Sequence, residues 1–133
     1  MKFLVAMALA ILGPTAQAGE FTLLIYEKPT ELAKRNAPSA INNYWQSYNA
    51  YADLLVKAGV MRGGTALDEK ASAVIRSEGV NEFRDARLGG YFVIEAADLD
   101  AARVWASKAP ASAVAIEIWP YRANPSAAMV PKH

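Results

Sequence analysis

Tyr44, Trp45, Tyr48 and Tyr51 fall on consecutive turns of any helix that carries them. Rings gathered in this way can wall an apolar pocket, with phenol hydroxyls left to orient a ligand. They can equally pack as core against a sheet, the ordinary use of buried aromatics. A second group is charged: Arg62, Arg76, Arg84 and Arg87, with Glu78, Glu82 and Asp85. It reads either as a cleft rim where an arginine holds an anion or as a solvated loop and edge strand. Gly63-Gly64 and Gly89-Gly90 either admit a ligand close to the backbone or make bulges and turns. The candidate ligand-binding residues are Tyr26, Trp45, Tyr48, Arg62 and Tyr91.

Other chemistries are poorly supplied. The chain has no cysteine, and its single histidine is the last residue, His133. Ser–His and Cys–His nucleophiles are therefore unavailable, as are disulfides and thiolate metal sites. Ser107 and Lys108 are adjacent, so on a helix they point in different directions. Asp98 and Asp100 suit a helix start better than a metal. Phosphate-loop, dinucleotide and zinc motifs are missing, so no cofactor, no metal ligand and no catalytic residue is assigned.

The first residues carry an address. Met1-Lys2 is a short positive start, and Phe3 to Leu12 is an unbroken apolar run. Gly13-Pro14 breaks it, and Ala16-Gln17-Ala18 is a small-x-small cleavage site. Residues 1–18 read as a signal peptide, with a mature start at Gly19 and a periplasmic or secreted product. The run is too short to cross a bilayer, where roughly 20 residues are needed. Of 133 residues, 115 would remain, enough for one domain with a modest core. Loss of Lys2 takes the formal charge from +1 to zero, leaving no basic excess to attract nucleic acid or an anionic membrane. Residues 19–121 form the expected domain, and 122–133 read as a disordered tail.

The elements that must position these residues follow from periodicity. Phe21 to Tyr26 is β-rich and apolar on both faces, closed by Glu27-Lys28-Pro29. Thr30 to Pro38 is a polar connection with room for one helical turn. Ser39 is a candidate N-cap for a helix whose stripe is Ile41, Trp45, Tyr48, Ala52 and Leu55, ended by Gly59. Val60 to Leu67 and Ala71 to Ser77 read as strands, and Val80 to Leu88 as irregular. Tyr91 to Ala96 is a further strand, after Gly89-Gly90. Asp98 caps a second helix with Leu99, Ala102, Trp105 and Ala109 inward, and Val114 to Trp119 is the last strand. The order β, α, β, β, β, α, β predicts an α+β fold, a ferredoxin-like sandwich with both helices on one face. Nothing remains to cover the other apolar face, which predicts a homodimer joined through its sheets.

FTLLIYEKP, YNAYADLLVKAGVMRGGTAL, LGGYFVIEAADLDAARVWASKAP and VAIEIWPY, in that order from about residue 21 to 121, resemble the YCII-related family and especially its DGPF-type branch. The resemblance implies a ferredoxin-like domain that dimerises into a two-chain α/β barrel with a cleft. The branch signature meets Glu78-Gly79-Val80-Asn81, of which only the glycine matches. Phe83 and Asp85 stand where the branch has Glu and Lys. A His near the start of the first helix and an Asp are the family's proposed catalytic pair. That helix position falls near Tyr48 here, so no catalytic role carries over.

Three functions fit these residues: an exported domain binding a small, partly apolar molecule, a small-substrate enzyme of the dimeric barrel type, or an interaction domain. An enzyme calls for perturbed carboxylates or tyrosines in a deep pocket. A binding domain calls for a pocket without them, and an interaction domain for a large apolar surface instead.

Overall fold

The computed structural model describes residues 18–70, 73 and 85–122. Strand β1 (Gly19–Glu27) leads into a short helix α1 (Pro29–Leu32) that continues as a 3-10 turn (Ala33–Asn36). Helix α2 (Ile41–Lys57), strands β2 (Met61–Ala66) and β3 (Arg87–Ala96), helix α3 (Leu99–Ala106) and strand β4 (Ala113–Pro120) follow. The four strands make one open antiparallel sheet in the order β2-β3-β1-β4. This is the mixed α+β architecture that the alternation of periods predicts.

Strand β1 is central because both of its faces are apolar. Its odd positions, Phe21, Leu23 and Ile25, are buried with Tyr51 and Leu55 of α2 and with Ala102 and Ala106 of α3. Both helices therefore share one face of the sheet. Leu23, Leu55 and Ile94 are wholly buried, each contributing about 1.5–3 kcal/mol through burial. The Tyr51 hydroxyl donates to the Trp105 carbonyl at 2.8 Å, tying α2 to α3. On the other face, Thr22 and Leu24 stand beside Tyr91 and Val93 of β3 and Glu117 and Trp119 of β4. No described element covers that face, and Trp119 is 56% exposed.

Several local expectations need correction. The N-cap of α2 is Ala40, not Ser39, and no side chain caps it. A backbone turn does the work, with Ala40 and Ile41 both donating to the Ala37 carbonyl. The buried stripe of α2 is Tyr44, Tyr51 and Leu55, with Trp45, Tyr48 and Ala52 only half-buried. The helix meets both the sheet and an open cleft, so its apolar arc is wider than its buried arc. In α3 the buried residues are Ala102 and Ala106, whose small side chains let the helix lie close, while Leu99 is 40% exposed.

Strand β3 begins at Arg87, so Gly89-Gly90 lies inside it. The reason is close pairing: a Cβ on Gly90 would come within 2.8 Å of the Thr65 carbonyl on β2. Gly63 sits at a register shift of β2 against β3, a bulge. The expected strand Ala71 to Ser77 apart from Ala73, most of Val80 to Leu88 and residues 123–133 lie outside the described residues, as does the leader segment to residue 17.

Candidate functional site

Strand alternation puts Glu27 on the same side as Leu23 and Ile25, beneath the helices, and it is 1% exposed. A buried carboxylate costs several kcal/mol unless its oxygens are matched. Three hydroxyls match it. Tyr44 donates to Oε1, Tyr48 to Oε2 at 2.7 Å, and Ser112, ahead of β4, to Oε2 at 2.6 Å. Tyr44 and Tyr48 reach the same carboxylate because they are four residues apart on α2.

Arg35 is the second buried charge, 8% exposed, on the 3-10 turn. Its Nε donates to the Tyr44 hydroxyl at 3.0 Å and its Nη2 to the Gly89 carbonyl at 2.9 Å. Its Nη1 donates to the Leu67 carbonyl and lies 3.4 Å from Glu69. The guanidinium also faces the rings of Tyr44 and Trp45, at 5.2 and 5.0 Å from their centroids. Gly89 leaves room for both charges: a Cβ there would lie 3.3 Å from Glu27 Oε1 and 3.4 Å from Arg35 Nη2. Among the described residues no buried side-chain nitrogen or oxygen lacks a partner.

A cleft of about 220 Å³ opens between α2 and the β2–β3 edge of the sheet. Ile25, Ala52, Met61 and Phe92 give it apolar walls; Glu27, Arg35 and Tyr48 give it one polar end. It falls below the roughly 300–1,000 Å³ of drug-sized sites, so it suits a small molecule. Burial pushes the Tyr48 phenol far above the ordinary tyrosine range; the Glu27 carboxylate adds to this and the Ser112 hydroxyl opposes it. Tyr44 is raised for the same first reason, burial, and then by Glu27. Among the described residues no three His, Cys, Asp or Glu side chains gather as a metal site would need.

Of the five candidate residues, Trp45, Tyr48 and Tyr91 border this cleft, Tyr91 from a strand position that shares the uncovered face with Leu24. Tyr26 does not: its hydroxyl donates to Glu117 at 3.1 Å, a residue of the uncovered face. Arg62 does not either; its Nε donates to Glu95 at 2.9 Å on the exposed part of the sheet. Among the described residues the arginine in the cleft is Arg35. Gly64, Gly89 and Gly90 line the cleft, and the two glycine pairs also serve strand pairing and side-chain room. Glu27 could have been found from the sequence, because Leu23, Ile25 and Glu27 alternate onto one buried face. Arg35 carried no such signal in its polar connection.

The sequence matches the family model described as the YCII-related domain across residues 20–122, nearly all of the described chain. No curated protein matches it.

Proposed function

The chain belongs to the YCII-related domain family, and from that premise we propose that it binds a small, partly apolar molecule in the cleft between α2 and β2–β3. One observation carries this reading. The buried Glu27, held by three hydroxyls, stands at the polar end of a mostly apolar cleft that Tyr48 and Trp45 also line. A core that needed only stability would do as well with apolar side chains there.

The Tyr48–Glu27 pair meets part of the demand for an enzyme, since a perturbed tyrosine lines the cleft. Its direction argues for binding instead. A proton-transfer group works best with a pKa near the operating pH, and burial moves Tyr48 away from neutrality.

Around that site we propose an exported homodimer of ferredoxin-like domains of the DGPF-type branch. The strand order β2-β3-β1-β4 with α2 and α3 on one face supports the ferredoxin-like description. The uncovered face with Leu24, Val93 and Trp119 supports a second copy, closing a two-chain barrel. The leader and its Ala16-Gln17-Ala18 site support export; N-terminal sequencing of the product should begin at Gly19.

A thermal-shift fragment screen tests the cleft. Ala52→Leu narrows it from α2 without replacing any of Glu27's partners. Fragments should stabilise the wild type and not the variant. Equal stabilisation of both would place the binding elsewhere and defeat the proposal.

A further inference from the structure

The hydroxyl protons of the site are already assigned by geometry. A carboxylate accepts only, and each hydroxyl has one proton. Tyr44, Tyr48 and Ser112 all direct theirs at Glu27. Ser112 lies 2.6 Å from Glu27 but 3.5 Å from the Tyr48 oxygen, so its proton serves the carboxylate. Tyr44 accepts in turn from Arg35. Tyr48 accepts only the long, 3.5 Å approach of Ser112, and it lines the cleft. Its phenol oxygen therefore offers lone pairs to whatever enters.

Charge points the same way. The cation that the described residues bring to the cleft, Arg35, is matched by Glu69 at 3.4 Å and, through Tyr44, by Glu27. Among the described residues two carboxylates thus stand against one guanidinium. Four of the five guanidinium N–H groups are directed at Tyr44, Leu67, Glu69 and Gly89. An entering anion would meet an excess of negative charge and a nearly saturated arginine.

We infer that the cleft selects small apolar molecules whose head group donates hydrogen bonds, an ammonium or a hydroxyl, seated on the Tyr48 oxygen beside Glu27. This rests on the proposed binding role of the same cleft. Three size-matched probes test it on the purified full chain: benzylamine, benzyl alcohol and benzoate, titrated by NMR with the Trp45 indole as reporter. The amine and the alcohol should bind at least tenfold more tightly than benzoate. Tyr48→Phe should weaken both by roughly tenfold, the loss of about one hydrogen bond. Benzoate binding as tightly as the amine would overturn the head-group inference while leaving the cleft a binding site. No probe moving the Trp45 signal would overturn the binding role itself, and the inference with it. The preference among probes is read on the wild type, so it stands or falls whether or not the variant folds.

Discussion

Arg35 and Glu27 are both buried yet do not pair directly; Tyr44 stands between them, accepting from Arg35 Nε at 3.0 Å and donating its own proton to Glu27. A phenol can relay in this way because its oxygen donates once and accepts besides. The relay ties the 3-10 turn, α2 and the end of β1 into one polar cluster.

Glu27→Ala should therefore be far more damaging than its single position suggests. It strands three hydroxyls and leaves Arg35 short of its compensating charge. The expected loss is about 3–5 kcal/mol in urea unfolding. Arg62→Ala, which breaks the exposed pair with Glu95, should cost about 1 kcal/mol or less. Similar losses in the two variants would contradict the assigned importance of the buried cluster.

Tyr44→Phe and Arg35→Met should not be additive. Each removes one side of the same hydrogen bond, so a double-mutant cycle should give a coupling of about 0.5–3 kcal/mol. Additive losses would show that Tyr44 does not relay between the charges.

Alkaline pH should unfold the protein earlier than its sequence alone suggests. Burial raises Tyr51 from 10.0 to about 12, and raises Tyr44 and Tyr48 as well. The stability these phenols contribute is whole below pH 10, where folded and unfolded chains both keep the proton. Above that, the unfolded chain ionises first, and the contribution is lost as pH rises toward 12. The melting temperature should fall across this window, less steeply in Tyr51→Phe. A flat profile would contradict the burial of these rings.

Gly64→Ala should disturb the edge of the sheet. Gly64 has φ of 146°, and a Cβ there would lie 2.6 Å from the Tyr91 carbonyl. Steric relief requires β2 to shift away from β3, at a loss of about 1–3 kcal/mol. Hydrogen exchange of β2 amides should quicken first, since β2 is an edge strand.

Light scattering tests the assembly. The uncovered sheet face should give a particle of about twice the mass of the mature chain. Trp119→Asp, at the exposed side of that face, should shift it to monomer while leaving α2 and Glu27 untouched. A wild-type monomer at micromolar concentration would defeat sheet-to-sheet dimerisation.

Much of the fold was legible in the residues themselves. Period-2 runs such as Phe21 to Tyr26 and Val114 to Trp119 and the 3–4 spacing of α2 are written in chain order. Short-range sterics and the burial of one face decide them. The placing of Trp45 and Tyr48 at one cleft was partly legible, since helix spacing sets both on one side of α2, whereas Tyr91 alternates onto the uncovered face. Element ends were less so: Ser39 looks like a cap, but the Ala37 carbonyl makes the turn that starts α2. Asp98 was legible, because a cap acts on its own next turn, here the Ala101 amide at 2.8 Å.

What only the tertiary structure decided is how the buried charges are matched. Glu27 looked like the polar end of a strand and Arg35 like a solvated loop residue, while Arg62 looked like the arginine of a cleft. Burial of Glu27 is tolerable only because Tyr44, Tyr48 and Ser112, lying 17, 21 and 85 residues away, converge on it. Arg35 is held by carbonyls of Leu67 and Gly89, 32 and 54 residues distant. A carboxylate's partners are chosen by distance in space, and no local spacing encodes them. The spacing of the residues by itself places helices α2 and α3 and the four described strands, whereas the polar end of the cleft exists only once the chain has closed around it.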